Sequence, residues 1–246
     1  MSRTLLVIPC YNEALRLEKE VFLKSVQTFG FDLLFVNDGS KDGTLLELQE
    51  LEAANPENIK VLDVPQNVGK AEAVRAGMNA GSEWKKFDTV GYADADLATP
   101  FEELDRISKL FKEHQTFLFG SRIARLGSHI ERLNSRWLFG RISASFAAMT
   151  LGLGVYDTQC GAKFFRSGLV PILFNKPFLS RWLFDVELFF RMMNHFGKKE
   201  AENQMIEIPL DVWIEMGDSK LTMMDILKVP FELLKIRRYY HGNTKN

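Results

Sequence analysis

The sequence predicts an α/β protein in which a mostly parallel central sheet carries helices on both faces. Short β-branched segments alternate with helical segments through the first half of the chain, and this alternation is typical of such a sheet. Of the 246 residues, 46% are hydrophobic and 26% are charged, which suits a packed core. Since neither repeats nor a long linker interrupts the sequence, we expect a single domain over residues 1–246.

The predicted elements follow one another in a simple order. Strands are predicted at residues 5–8, 33–36, 59–64 and 90–93, with helices between them at 13–29, 42–54 and 70–80. Pro100 suits the first turn of a further helix, because a proline there forfeits no hydrogen bond. The second half predicts strands at 117–119 and 206–212, a loop at 152–161, and helices at 184–196 and 222–240.

Charge and cysteine content exclude several classes of function. The formal net charge of −1 argues against a nucleic-acid-binding protein. Cys10 and Cys160 form no CxxC motif, so neither a thiolate zinc site nor a disulfide framework is expected. The best candidate for a membrane span, residues 137–155, contains Arg141 and three glycines. We therefore expect a cytoplasmic protein that meets membranes only peripherally, at their cytoplasmic face.

Two aspartates follow the fourth predicted strand and indicate a cation site. Asp94 and Asp96 are two residues apart, so in an extended segment they point to the same side. Two carboxylates in that position repel each other unless a cation lies between them. Their oxygens favour Mg²⁺ or Mn²⁺, and Mg²⁺ completes its coordination with phosphate and water. The alternative is a turn in which one aspartate caps the next helix.

Asp38 and Lys70 have ordinary interpretations when each is considered alone. Asp38 suits a turn, and Lys70 suits the solvated side of a helix. However, ligands of parallel sheets bind beyond the carboxyl ends of the strands, where these segments meet. A lysine and the backbone N–H groups at a helix start suit phosphate there. The glycine-rich dinucleotide fingerprint and the P-loop are both absent after the first strand, which excludes those two classes.

Several segments resemble family 2 glycosyltransferases of the GT-A fold. The segments are VIPCYNE at 7–13, VNDGS at 36–40, NVGK at 67–70 and DADLATP at 94–100. Further segments resemble the dolichyl-phosphate glucosyltransferase branch of that family: GSR at 120–122, DTQCGAK at 157–163 and RWLFDVEL at 181–188. The resemblance covers about residues 4–222 in order. It implies a Rossmann-like GT-A sheet, with a nucleotide-sugar-binding half (1–120) and an acceptor-side half (121–246) that ends in an amphipathic helix.

The resemblance also implies roles for matching positions. Those implied in donor binding are Pro9, Tyr11, Glu13, Asp38, Lys70 and Asp94. Asp94 and Asp96 form the DxD motif, which is implied to be catalytic and to hold Mg²⁺ or Mn²⁺, with Asp96 as the more direct ligand. Those implied in acceptor binding are Arg122, Arg125, Arg136, Gln159 and Lys220. Ala98 stands where relatives that use GDP-mannose often carry glutamine, which favours the glucosyl branch.

The predicted activity is an inverting transfer of a hexose, with glucose favoured, from a UDP- or GDP-sugar to a polyprenyl- or dolichyl-type lipid phosphate. Residues 121–141 carry five arginines against one acid, and guanidinium groups bind phosphate through paired hydrogen bonds. A phosphate monoester has a second pKa near ~6, so it is an anionic nucleophile without a base. The alternative for this segment is a solvated surface loop.

A peripheral contact with the membrane is expected from two segments. Residues 136–141 and the predicted C-terminal helix mix aromatic, apolar and basic residues, as interfacial helices do. The alternative is that the apolar stripe of the C-terminal helix faces the core.

Other functions remain open at this stage. A second family 2 activity would use a hydroxyl acceptor, as in the synthesis of cell-surface polysaccharides, and would require a base. The resemblance places Asp185 in that role, whereas a structural interpretation makes Asp185 a helix N-cap and puts Glu187 in the first turn. A non-catalytic module that binds nucleotide sugars is a further alternative. A nucleotidyltransferase is disfavoured, because no glycine-rich loop with a lysine follows the first strand.

Overall fold

The structure is a computed structural model that describes residues 3–131, 134–216 and 223–242. Its strands are β1 (Thr4–Cys10), β2 (Phe31–Asp38), β3 (Ile59–Val64), β4 (Thr89–Tyr92), β5 (Phe117–Ser121), β6 (His129–Glu131), β7 (Lys163–Arg166), β8 (Met205–Pro209) and β9 (Val212–Ile214). Its α-helices are α1 (Lys19–Phe29), α2 (Thr44–Ala54), α3 (Lys70–Trp84), α4 (Phe101–Ser108), α5 (Asn134–Leu151), α6 (Val170–Leu173), α7 (Phe184–Phe196), α8 (Lys198–Gln204) and α9 (Met223–Gly242).

The main sheet has the strand order β3-β2-β1-β4-β7-β5-β8. Strands β1 to β4 are parallel, β7 is antiparallel to both of its neighbours, and β8 is parallel to β5. The mostly parallel sheet expected from the sequence is therefore confirmed. β6 and β9 form a separate two-stranded sheet. Both halves of the chain contribute to the main sheet, since β7 and β8 lie beyond residue 120.

Strand β1 is apolar from Leu5 to Ile8 because helices cover both faces of the sheet. Along β1, Leu5 and Val7 join one buried cluster, whereas Leu6 and Ile8 join the other. This division follows from the alternation of side chains along a strand. A strand buried on both faces reads as a continuous apolar run, as the sequence of β1 does.

Several elements differ from the sequence-based expectations. The helix predicted to begin at residue 13 begins at Lys19, because the backbone N–H of Arg16 bonds the carbonyl of Glu13 in a preceding turn. The strand predicted at 206–212 is split, since β8 pairs with β5 while β9 pairs with β6. Helix α5 was not predicted, and neither was β7, whose first residue is a buried lysine, Lys163.

The predicted loop at 152–161 is confirmed between α5 and β7. In the described ranges, no helix combines the length and the apolar character needed to cross a bilayer.

Helix α3 packs unusually close to the sheet, and this closeness places its first residue at the carboxyl edge. A Cβ atom at Gly77 would lie 2.4 Å from Val7 Cγ1 and 2.8 Å from Val36 Cγ2. Gly81 makes the same kind of approach, to Leu5. A side chain at either position would push α3, and the loop before it, away from the strands.

Gly77→Ala is expected to lower the free energy of unfolding by about 1 kcal/mol. Alanine gains up to ~1 kcal/mol in helix propensity, but overpacking against the sheet costs about 1–3 kcal/mol. Urea denaturation measures the difference. Gly168→Ala is the matched control, because a Cβ there meets no atom within 4 Å. A Gly77→Ala protein that is more stable than the wild type would contradict this packing argument.

Candidate active site

A cavity of about 600 Å³ opens where β1, β2 and β4 reach their carboxyl ends. The residues singled out from the sequence that line it are Pro9, Tyr11, Glu13, Asp38, Lys70, Asp94, Asp96 and Arg122. They come from five separate segments of the chain. The expectation that these segments meet at one edge of the sheet is therefore confirmed.

The loop after β1 is tied to the loop after β2 by hydrogen bonds. The backbone N–H of Lys41 donates to Asn12 Oδ1 at 2.8 Å, and Asn12 adopts a left-handed conformation with φ of 53°. The backbone N–H of Glu13 donates to the Thr44 hydroxyl, also at 2.8 Å. The Glu13 carboxylate pairs with Arg16 at 2.7 Å. This first wall of the cavity is held by local polar contacts.

Asp38 joins the loop after β2 to the loop before α3. Its carboxylate is buried and accepts the backbone N–H groups of Val68 at 2.7 Å and Gly69 at 2.9 Å. The two loops approach so closely that a Cβ at Gly39, where φ is 62°, would lie 2.4 Å from the backbone nitrogen of Asn67. Asp38 therefore shapes the cavity wall as well as lining it.

Lys70 and Asp94 form an ion pair inside the cavity. Lys70 Nζ lies 2.5 Å from Asp94 Oδ1, and the side chains are 28% and 37% exposed. Burial disfavours the charged lysine, but the negative field of Asp94 and Asp185 outweighs it and raises the Lys70 pKa. Burial likewise opposes the charged form of Asp94, yet Lys70 and Arg122 hold its pKa below the ordinary value. Both groups are therefore charged at neutral pH.

Asp96 lies beside this pair in a strained turn. Its Oδ1 accepts the backbone N–H of Ala98 at 3.1 Å, and Leu97 between them has a φ of 58°. Burial, and next the charge of Asp94, raise the Asp96 pKa. The Asp96 carboxylate thus lies where the negative charge of Asp94 disfavours its ionised form. Gly161 closes the other side, since a Cβ there would lie 2.2 Å from Asp94 Oδ2.

The carboxylates of Asp94 and Asp96 suit a hard divalent cation that is also coordinated by a bound ligand. In the described part of the chain, no third acidic, histidine or cysteine side chain completes a metal cluster with the two aspartates. Mg²⁺ commonly takes only one or two protein carboxylates and fills its coordination with phosphate oxygens and water. A cation there would also relieve the repulsion that raises the Asp96 pKa. Asp94 and Asp96 are the residues that could hold it.

Arg122 reaches the cavity while paired with a buried carboxylate. Its Nε and Nη2 donate to the two oxygens of Asp157 at 2.7 and 2.9 Å, in a bidentate arrangement. Its guanidinium also lies 5.2 Å from the ring centre of Trp213. Burial opposes both charges, but each partner overrides it: Asp157 raises the Arg122 pKa, and Arg122 holds the Asp157 pKa well below its ordinary value.

The other residues predicted for the acceptor lie elsewhere or outside the described part. Arg125 pairs with Asp211 on the surface and does not line the cavity. Gln159 does not line the cavity, and its backbone N–H donates to Asp157 at 3.1 Å. The side chain of Arg136 and the whole of Lys220 fall outside the described residues.

Asp185 lies beneath the cavity and does not line it. Its carboxylate is buried, contacts Lys163 Nζ at 2.7 Å and accepts a hydrogen bond from the Tyr92 hydroxyl. The interpretation of Asp185 as an N-cap is wrong: α7 begins at Phe184, so Asp185 is in the first turn. Glu187 does lie in that turn, as predicted, and accepts the backbone N–H groups of the preceding loop.

Several cavity residues were given no role from the sequence. These are Arg16, Arg181, Trp182, Trp213, Glu215 and Met216. Arg181 and Trp182 did belong to a segment that resembled the family, and an arginine beside an exposed tryptophan in a loop is a usable signal for binding. Arg16 was hidden because it was assigned to the interior of a helix.

Sequence comparisons agree with this geometry. Residues 5–170 match the family model described as glycosyl transferase family 2. A dolichyl-phosphate beta-glucosyltransferase of Trichomonas vaginalis is 30% identical, over 97% of this chain and 72% of that protein. The dolichyl-phosphate beta-glucosyltransferase of Drosophila melanogaster is 32% identical, over 88% of this chain and 68% of that protein.

Solved structures show the same fold. A glucosyl-3-phosphoglycerate synthase from Mycobacterium tuberculosis, in complex with Mn²⁺, uridine diphosphate and glucosyl-3-phosphoglycerate, has a TM-score of 0.67. It is 18% identical, and the match covers 98% of this chain and 80% of that one. The same enzyme with Mn²⁺ and uridine-diphosphate-glucose also gives 0.67, at 17% identity over 98% and 79% of the two chains. The predicted GT-A fold is thereby confirmed.

Asp157→Asn is expected to lower the free energy of unfolding by about 3 kcal/mol at pH 7, because it removes the bidentate counterion of the largely buried Arg122 guanidinium. The folded-state pKa of Asp157 lies below the unfolded value of about 3.9, so its stabilisation is complete above that pH and is lost as the pH falls. The difference between wild type and variant should therefore hold from about pH 7 to 5 and shrink below about pH 4.

Urea denaturation across this pH range measures the effect. Asp211→Asn is the matched control, because its pair with Arg125 is 44% and 47% exposed and should contribute less than about 1 kcal/mol. A loss at Asp157 no larger than the loss at Asp211 would show that the Arg122 pair is not a buried one.

Proposed function

The chain belongs to glycosyl transferase family 2, and from that premise we propose that it transfers a hexose, with glucose favoured, from a UDP- or GDP-sugar to a polyprenyl- or dolichyl-type lipid phosphate. One observation carries the proposal: Lys70, Asp94, Asp96 and Arg122 line a single cavity. Such a site presents positive charge and a carboxylate pair to a ligand with several phosphate oxygens. The two relatives reported above are both named dolichyl-phosphate beta-glucosyltransferases, which supports glucose as the transferred sugar and a lipid phosphate as the acceptor.

The donor is held by the loops after β1 and β2 and by the start of α3. Pro9, Tyr11 and Asp38 take the nucleoside, in the half of the chain formed by residues 1–120. The diphosphate faces Lys70 and the N-terminus of α3, where backbone N–H groups favour anions. Lys70 contacts Asp94 in the structure. In this proposal it exchanges the Asp94 carboxylate for the diphosphate as the donor enters.

Asp94 and Asp96 hold Mg²⁺ or Mn²⁺ in this proposal. A bound divalent cation would offset the negative charge that develops on the leaving diphosphate. The chain's own contribution is to keep two carboxylates together at the end of β4, with Gly161 excluding any side chain that would displace Asp94. Lys70 adds a positive charge at the same place, which stabilises the negative charge that develops on the diphosphate.

The acceptor phosphate meets Arg122 in the half formed by residues 121–246. A phosphate monoester is already an anionic nucleophile at neutral pH, so no side chain has to remove a proton from it. Asp185 is engaged with Lys163 and Tyr92 below the cavity, which favours this acceptor over a hydroxyl acceptor with Asp185 as base. A single displacement at the anomeric carbon inverts its configuration and gives a β-linked product from an α-linked donor.

The acceptor lipid is reached from a membrane surface. On α9, Phe231 and Leu234 are 74% and 50% exposed, and Lys235 and Arg238 share their face at helical spacing. An exposed face that mixes apolar and basic residues suits the interface of an anionic bilayer. The protein is therefore proposed to bind peripherally, at the cytoplasmic face, through this helix.

The transfer reaction tests the proposal. Purified protein given Mn²⁺, a polyprenyl phosphate, and UDP-glucose or GDP-mannose in parallel should form glycolipid and free nucleoside diphosphate over many turnovers. Polyprenol of the same length should not react. Asp96→Asn should lower kcat at least ~100-fold, because it removes a ligand of the cation that would offset the negative charge developing on the diphosphate.

Asp105→Asn, in a helical pair with Lys109 that does not line the cavity, is the matched control and should keep full activity. Activity that survives both a chelator and Asp96→Asn would overturn the metal assignment. Equal use of polyprenol would favour the hydroxyl-acceptor alternative, and donor binding without release of nucleoside diphosphate would identify a non-catalytic module.

Binding to vesicles tests the membrane surface. The protein should sediment with vesicles of phosphatidylcholine and phosphatidylglycerol at low salt and dissociate as salt rises, because salt screens the basic residues. Phe231→Ser should weaken binding several-fold through lost apolar burial. Leu46→Ser, at a 60% exposed leucine on α2, is the matched control and should bind normally. Absence of binding at low salt would remove the proposed surface.

A further inference from the structure

A strap formed by residues 174–183 connects α6 to α7 and borders the cavity. Two of its residues, Arg181 and Trp182, line the cavity beside Gly69 and Lys70. The strap contains no helix or strand in the structure, yet it delivers a guanidinium to the donor side. Its position therefore depends on what holds its backbone.

Side chains from α3 and α7 hold the strap. Glu72 on α3 accepts the backbone N–H of Phe178 at 2.8 Å. Glu187 on α7 is fully buried and accepts the backbone N–H groups of Leu179 and Ser180, each at 2.9 Å. Arg191, also buried, donates to two strap carbonyls at 2.7 and 2.8 Å. These hydrogen bonds to charged side chains fix the backbone of an otherwise irregular segment.

Helix α9 completes the support. The Tyr240 hydroxyl donates to Glu187 Oε2 at 2.9 Å and accepts from Arg191 Nε at 3.0 Å. It thus bridges the two α7 side chains that hold the strap. The Tyr240 ring stacks on Phe190 with centres 5.4 Å apart and planes 4° apart. Glu232, also on α9, accepts a hydrogen bond from the Ser180 hydroxyl of the strap.

Arg181 presents its guanidinium to the start of α3. A Cβ at Gly69, where φ is 92°, would lie 2.4 Å from Arg181 Nε, so the arginine packs directly on the glycine backbone. Arg181 Nη2 donates to Asn67 Oδ1 at 2.5 Å, which is a neutral partner. Among the described residues, Arg181 contacts no carboxylate. Its charge therefore faces the cavity with no counterion from the described part of the chain, next to Lys70 and the N–H groups of the α3 N-terminus.

We propose that Arg181 binds the diphosphate of the nucleotide-sugar donor together with Lys70, and that Tyr240 is a positioning residue that acts through the strap. The inference rests on the proposed function, because it needs a diphosphate donor. The guanidinium offers several N–H groups in a fixed plane that matches phosphate oxygens, and it is always charged. Contact with Asn67 and Gly69, whose loop holds Asp38, assigns Arg181 to the donor phosphate and not to the acceptor phosphate.

Calorimetry with a nucleoside diphosphate and the matching monophosphate tests Arg181 without any transfer step. The base used is the one that the wild type binds. Arg181→Met should lower diphosphate affinity about tenfold, since a charge-assisted hydrogen bond is lost, while monophosphate affinity changes little. The readout is the ratio of diphosphate affinity to monophosphate affinity. Arg181→Lys should recover part of the lost ratio, and the KM of Arg181→Met for the lipid phosphate should equal that of the wild type.

Arg166→Met is the matched control, because that guanidinium stacks on Phe111 at 4.4 Å, at the opposite edge of the sheet. An unchanged affinity ratio in Arg181→Met, with a wild type that binds the diphosphate, overturns the inference alone. A wild type that binds no nucleoside diphosphate overturns the proposed function and the inference with it. A raised KM for the lipid phosphate with an intact ratio would assign Arg181 to the acceptor and also overturn the inference.

Tyr240→Phe tests the strap. It keeps the ring stack on Phe190 and removes only the hydroxyl shared by Glu187 and Arg191. Diphosphate affinity should fall about threefold while monophosphate affinity changes little, as expected when one hydrogen bond of an indirect support is lost. Tyr239→Phe, at the 46% exposed neighbour on the same helix, should change neither affinity. A Tyr240→Phe protein with a lower melting temperature and an intact affinity ratio overturns the positioning role.

Discussion

Charge compensation between Lys70 and Asp94 is the interaction on which the rest of the site depends. Lys70 begins α3 and Asp94 follows β4, so their contact joins the start of α3 to the segment that carries Asp94 and Asp96. Two further pairs lie in the same region: Arg122 with Asp157, and Lys163 with Asp185. Charges removed from water need such partners, because an isolated buried charge is strongly unfavourable. The pairs keep ionised groups in place at the end of an apolar sheet.

Close backbone approach makes these pairs possible. Gly77 brings α3 onto the sheet, Gly39 lets the loop after β2 contact the loop before α3, and Gly161 leaves room for the Asp94 carboxylate. At each of these positions a Cβ would fall within 2.4 Å of another atom. The cavity is therefore shaped by missing side chains as much as by the polar ones that line it.

The sequence predicted those parts of the molecule that depend on local pattern. Apolar runs buried on both faces gave β1 and β2, polar segments at strand ends gave Asp38, Asp94 and Asp96, and a polar segment at a helix start gave Lys70. Parts that depend on contacts between distant segments were missed. No local signal announces that Lys163 begins a strand, because its charge is compensated by Asp185, 22 positions later in the chain. Arg181 lies 112 positions after Gly69, so their contact is visible only in the fold.

Helix α9 shows how one element serves two surfaces. Tyr240 follows Phe231 by nine residues, which at 3.6 residues per turn places them about 180° apart. One face of the helix therefore exposes Phe231, and the opposite face buries Tyr240 against α7. Because Tyr240 bridges Glu187 and Arg191, the buried face is part of the hydrogen-bond network that fixes the strap beside Lys70. A lipid acceptor reached on the outer face and a donor held through the strap on the inner face would then depend on the two faces of one helix.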